Sequence, residues 1–266
     1  MFKILSAYAA IALLGGTSYA MPQDAPSAFA QTNNQNTVLR LADPPLPPSG
    51  TPIGRRRGAA GRGNCTIDLP LTALVPAIEK PVGAGKVTYV WGTTIASHPT
   101  FWFYLPDSNR SLRSVEFVLQ DEQDNDIYRT TVSLPSQPGV VSVQLPSTLT
   151  PLAINQNYHW FLKTEIANNC DRVSPVIAKD SVEGWVQRVS PNPTLTNQLK
   201  SAPPEQQISL YAQNGLWYDA LTALAQLRKQ KPHSETLKAN WHQLLHSASL
   251  DEIADRSLVQ CCTPTQ

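Results

Sequence analysis

The sequence predicts a mainly β protein with a small helical segment at its C-terminal end. Two observations carry this. Residues 65–190 hold seven or eight short apolar runs separated by Pro, Gly, Asp and Asn, the rhythm of strands joined by turns. Residues 203–258 then change to apolar positions three and four apart, the period of a helix face.

The chain opens with MFKILSAYAAIALLGGTSYA: Lys3, a short apolar core and small residues before Ala20. That order is a secretory signal over residues 1–20. Ala28-Phe29-Ala30 is a second cleavage pattern, farther from the apolar core. The apolar run is short of the ~20 residues that span a bilayer, so export without a transmembrane span is expected. Residues 21–64 contain QTNNQNT, DPPLPPSGTP and GRRRGAAGRG. They offer nothing for a core, and read as a disordered Pro-rich and Arg/Gly-rich linker.

Within residues 65–190, LTALVP (71–76), KVTYVWG (86–92), TFWFYLP (100–106), RSVEFVLQ (113–120), IYRTTVSLP (127–135), GVVSVQLP (139–146), NYHWFLKTEI (157–166) and SVEGWVQRV (181–189) read as strands. The fourth and fifth alternate around DEQDND, which predicts a hairpin with Asp124-Asn125 at its tip. Tyr158, placed before Trp160 and Leu162, fits a tyrosine corner, in which the hydroxyl bonds back to upstream backbone. Together these predict an immunoglobulin- or fibronectin-like antiparallel β-sandwich. Residues 203–258 predict a helical hairpin or three-helix segment, with a stop at Asn214-Gly215 and a face of Leu237, Trp241, Leu244 and Leu245.

The composition limits function. Removing Lys3 with the signal leaves 20 basic and 20 acidic residues from the 21 and 20 of the whole chain. The positive excess sits in residues 21–64 and the negative excess in residues 65–199. A neutral chain with one short basic stretch argues against nucleic acid as a partner. Cys65 and Cys170 bracket the strand-rich region, and export makes them a candidate disulfide. Cys261 and Cys262 are either free or bonded to another chain.

The set PP-x-PP-x-GTP-x-GRRRG-x3-RG-x-C (44–65), LTALVP, PTFWFYLP (99–106), EFVLQDEQDNDIYRTT (116–131), Y-x-WFL (158–162) and VEGWVQRV (182–189) resembles an exported cyanobacterial family, domain of unknown function 928. The resemblance covers roughly residues 40–190. It implies a shared cysteine pair and supplies no activity. The helical end lies outside it. There, Tyr211, Gly215, Ala220, Leu221, Leu224 and Pro232 are spaced as in a single tetratricopeptide repeat.

Few residues suggest chemistry. Arg55, Arg56, Arg57 and Arg62 could contact an anion such as an acidic glycan, dock on the acidic domain behind them, or serve as a solvated linker. Asp121–Asp126 could hold calcium or form a turn. His242 and His246 are four apart on a helix, but Gln243 stands where a zinc protease needs Glu. Gly83-Ala-Gly-Lys86 lacks the rest of a phosphate loop. In FWFY (101–104) successive rings point to opposite faces, so Trp102 and Tyr104 either contact a glycan or lie under the helices. Cover by the helices is the preferred reading. The expected function is an exported, non-catalytic cell-envelope protein acting as a structural or interaction module, without a cofactor or metal, and with an envelope protein or acidic glycan as partner. A carbohydrate-binding module is the alternative, and a hydrolase comes third.

Overall fold

The computed structural model describes residues 39, 42, 53–58, 69–106, 111–168 and 176–259. The signal segment, most of the Pro-rich stretch, Arg62, and Cys65, Cys170, Cys261 and Cys262 lie outside the described residues. The described chain belongs to one compact unit.

Two sheets form. The larger runs β2 (Ala77–Val82), β3 (Gly85–Thr94), β9 (Val176–Arg188), β8 (Asn157–Asn168), β5 (Ser111–Gln120), β6 (Asp126–Thr131) in that spatial order. The smaller runs β1 (Thr72–Ala73), β4 (Thr100–Leu105), β7 (Gly139–Gln144). The mainly β expectation is met, with two differences. LTALVP contracts to the two-residue β1 and is followed by the unforeseen β2. The pairing is not wholly antiparallel: β3 and β9 run parallel from Trp91–Trp185 to Thr94–Arg188. Parallel neighbours need a long crossover, and the chain between β3 and β9 contains five other strands.

The β5–β6 turn places Asp124 at φ 61°, a left-handed conformation that Asp tolerates. Asp121 Oδ1 accepts from the Gln123 and Asn125 amides at 2.9 Å each. Hydrogen bonds from Asn125 hold the Asp121 carboxyl below its ordinary value. The acidic stretch thus closes its own turn. Tyr158 Oη accepts from Ala153 N at 2.8 Å, tying β8 to the loop before it.

Four helices follow: α1 (Pro193–Ser201), α2 (Pro204–Gln213), α3 (Trp217–Gln230) and α4 (Glu235–Ser247), with a 3-10 turn at Asp251–Ile253. α1 was not foreseen. Its signal is Asn192-Pro193: the Asn192 side chain caps the Leu195 amide at 2.7 Å, and Pro193 occupies the first turn, where no N–H is needed. Gly215 takes φ 69° between α2 and α3.

The layers stack as large sheet, small sheet, helices, and β4 explains why. All six of its residues are buried. Phe101 and Phe103 face the large sheet, 4.9 Å from the Phe117 ring and 5.6 Å from Trp160 respectively. Trp102 and Tyr104 face the other way. Trp102 Nε1 donates to Thr222 Oγ1 of α3 at 3.0 Å, and Lys229 Nζ lies 5.2 Å from its ring centre. The Arg256 guanidinium sits 5.8 Å from the Tyr104 ring. A strand apolar on both faces must be covered on both, and here the helices form the second cover. The apolar core is therefore continuous from β5 and β8 to α4.

Candidate functional site

Helix α3 begins with Trp217-Tyr218-Asp219, and these three residues reach three separate parts of the sheets. Trp217 Nε1 donates to Leu74 O at 2.8 Å. Tyr218 Oη accepts from Trp160 Nε1 at 2.8 Å and donates to Trp185 O at 3.2 Å. Asp219 Oδ2 accepts from Ile95 N at 3.1 Å. The Tyr218 ring enters beside Gly92, where an added Cβ would stand 2.9 Å from Cε2. Burial pushes the Tyr218 phenol far above its ordinary range.

Beside this junction, where β3 and β4 meet α2 and α3, is a cleft of about 280 Å³. Its polar lining includes Gln144, Gln207, Tyr211, Asp219, Thr222 and Gln226, and no Lys or Arg. Asp219 is pushed up to about 6, first by burial, against the opposing bonds from Thr94 and the Ile95 amide. Burial, then the neighbouring Asp219, raises the Tyr211 phenol. His98, also at the cleft, is fixed by Leu149 O at 2.8 Å and Ser97 Oγ at 3.0 Å. Such a lining favours neutral polar groups and disfavours anions. The sequence did not point to it. Its amides and hydroxyls come from β3, β4, β7, α2 and α3, with no local pattern. The one available signal was an acid in the first turn of a helix that follows Gly215.

The arginine stretch is part of the fold. The Arg55 backbone pairs with Glu183 of β9 in both directions, at 3.0 and 2.8 Å, and Gly54 N donates to Thr88 O of β3 at 2.9 Å. One step on, Gly58 N donates to Leu71 O at 2.7 Å and Ala73 N to Arg56 O at 2.8 Å. Residues 54–58 thus strap the large sheet to the small one. Glycine is needed at Gly54, where the neighbours are a strand Cβ and a backbone carbonyl, whereas at Gly58 the neighbour is a carboxylate that can move aside. An added Cβ would meet Val90 Cβ at 2.8 Å from Gly54, and Asp180 Oδ2 at 2.1 Å from Gly58.

The guanidiniums take separate internal partners. Arg55 donates to Ser181 Oγ. Arg56 donates to the carbonyls of Ala248 and Ser249, which end α4 and lack helical partners. Arg57 pairs with Glu252. Burial, then the neighbouring Arg57, lowers the Arg56 guanidinium from its ordinary value. For Arg55, Arg56 and Arg57 the anion-holding row gives way to a docking strap, because each side chain is drawn to a different internal acceptor. Arg62 lies outside the described residues.

The remaining candidates resolve as follows. Trp102 and Tyr104, each 2% exposed, are not presented to a glycan, because α3 and Arg256 cover them. Of the two readings of these rings, cover by the helices holds and glycan contact through them does not. His242 Nε2 lies 3.2 Å from Asp255 and His246 Nδ1 2.6 Å from Asp251, so they face different carboxylates. Among the described residues no group of three or more His, Cys, Asp or Glu is placed to hold a metal. Gly83, at φ 58°, turns the β2–β3 hairpin. Among the described residues no helix is long and apolar enough to cross a membrane.

The family described as Domain of Unknown Function (DUF928) matches residues 54–258. The chain belongs to that family. The DUF928 match opens on Gly54, at the start of the arginine strap. It closes on Leu258, which bridges to Val140 of β7. The match therefore includes the helices, which the resemblance over roughly residues 40–190 left outside, and strands and helices share one apolar core. No curated protein and no solved structure matches the chain.

Two predictions follow from this geometry. Arg56→Ala lowers stability by about 1–3 kcal/mol, the range for losing hydrogen bonds from a charged group. The exposed pair partner Arg57→Ala costs about 0–1 kcal/mol. Urea unfolding of the two variants checks the order. Asp219 has a folded pKa of about 6, above its unfolded value, so its contribution is fully present below pH ~4. It is lost as pH rises to about 6. His159, lowered to about 4, acts with the opposite sign over an overlapping range. The stability difference between wild type and Asp219→Asn isolates the Asp219 part, and it falls as pH rises from about 4 to about 6.

Proposed function

We propose that this DUF928 protein is an exported, non-catalytic cell-envelope module that binds through the cleft beside α3. The supporting observation is the state of Asp219. The acid of the cleft accepts from the backbone and a hydroxyl of its own fold, which anchors α3 and leaves amides and hydroxyls as the groups facing the opening. A lining of Gln144, Gln226 and Tyr211 matches a small neutral, hydroxyl-bearing group such as the end of a cell-wall glycan, while Gln207 Nε2 is held by Leu199 O and Ala202 O and Thr222 Oγ1 accepts from Trp102 Nε1. This route to a glycan does not use Trp102 or Tyr104. The signal pattern of residues 1–20 supports export. The two facing sheets support a sandwich of immunoglobulin-like type, completed on one side by helices.

The second reading is a structural module whose partner is an envelope protein. The continuous core from strands to α4 favours it, since it makes one rigid body of both segments. Purified chain beginning at Met21 is incubated with isolated cell-wall glycan and with envelope protein. Saturable glycan binding that survives high salt, falls at least ten-fold in Gln226→Trp, and releases no cleavage product is the expected result. Retention by envelope protein alone would favour the second reading. Released sugar products would contradict both.

A further inference from the structure

The neutral cleft has a cationic neighbour along α3. Thr222 and Gln226 line the cleft. Lys229 follows Gln226 by three residues, so the two side chains are neighbours on the helix surface, about 4.5 Å apart along its axis. Trp102 joins the two places from below. Its Nε1 donates to Thr222 Oγ1 at 3.0 Å, and its ring centre lies 5.2 Å from Lys229 Nζ. On β7, Gln144 and Ser142 pair with Thr100 and Trp102, so both stand on the α3 side of the small sheet. Gln144 lines the cleft, and Ser142 stands beside the ring that Lys229 covers. Tyr104 follows Trp102 by two residues on the same face of β4, about 7 Å away. The Arg256 guanidinium sits 5.8 Å from the Tyr104 ring centre. Two cations thus lie over adjacent rings, next to an opening lined by amides and hydroxyls.

The charge of Lys229 is not countered within the fold. The side chain is exposed and makes no ion pair with a described residue. Burial lowers its ammonium from the ordinary value, with no opposite charge acting against that. The acids just before Arg256 turn to other partners: Asp251 faces His246, Glu252 pairs with Arg57, and Asp255 faces His242. Arg56 and Arg57, by contrast, are satisfied internally. A partly buried cation is stabilised by an anion brought beside it. The ammonium is a point charge, and the guanidinium offers a planar fork that matches a carboxylate.

The two places therefore ask for different groups. The cleft, with Asp219 beneath it, suits a neutral group. One helical turn on, Lys229 and Arg256 suit an acid. A glycan with an uncharged end sugar and an acidic next unit presents both in that order.

We propose that the ligand of the cleft is an acidic glycan, with its neutral end sugar against Gln144, Gln226 and Tyr211 and the carboxylate of the following sugar acid held by Lys229 and Arg256. The proposal rests on the cleft being the binding site, and adds the charge and the direction of the ligand. Trp102 and Tyr104 support the cations and do not touch the sugar. Purified chain beginning at Met21 is titrated with an oligosaccharide that has a neutral end sugar and a uronic acid as the next unit. The same oligosaccharide with that carboxyl reduced to an alcohol is the second probe. At low salt the acid form binds at least about ten-fold more tightly, as one charge-assisted hydrogen bond provides. This ratio of affinities falls toward one at high salt, while the reduced form keeps binding. It also falls in Lys229→Gln and in Arg256→Gln. If the reduced form binds and is lost in Gln226→Trp, but the ratio is near one in the unsubstituted chain or unchanged in either Gln variant, the acidic-glycan proposal is overturned and the cleft reading stands. If the reduced form does not bind, or binds Gln226→Trp as well as the unsubstituted chain, the cleft reading falls and the proposal with it. Equal affinity for poly-glutamate, which carries carboxylates but no sugar, would mark a general anion surface and would also overturn it.

Discussion

Three consecutive side chains at the start of α3 hold this molecule together. Trp217 donates one hydrogen bond to Leu74, Tyr218 makes two with the Trp160–Trp185 pair, and Asp219 accepts from Ile95. The middle member matters most. A buried tyrosine hydroxyl is tolerated only where it is hydrogen-bonded. Tyr218 is bonded in both senses, as acceptor from an indole and donor to a strand carbonyl. That condition fixes the position of the helix relative to β8 and β9, and with it the cleft.

The double-faced burial of β4 follows from the same arrangement. With α3 pinned, Thr222 falls opposite Trp102, and the small sheet becomes the middle of three layers. The arginine strap closes the assembly from the other end of the chain. Arg56 reaches the carbonyls that end α4, while its backbone lies between β1 and β9. Segments far apart in sequence are thus bound together.

Much of the sheet was readable because strand periodicity and turn chemistry are local. Val115, Phe117 and Leu119 alternate visibly, and Asp124-Asn125 marks its own turn. Two-sided burial of TFWFYL was also legible, since successive rings must point oppositely. What was not legible depended on distant partners. The parallel β3–β9 pair requires knowing which edge β9 meets. The fate of Arg56 requires knowing where α4 ends. Asp219 lies in the first turn of a helix, and it is burial beneath distant segments that raises it. Lys229 and Arg256 come to adjacent rings of β4 only through tertiary packing.

If the helices complete the core, strands and helices cannot unfold separately. Native-state hydrogen exchange compares the amides of α3 with those of β8 over a denaturant series. Slowest-exchanging amides in both elements should converge on one opening free energy and one denaturant dependence. An α3 that opens at markedly lower free energy while β8 stays protected would contradict a shared core, and would make the helices an appendage to the sheets.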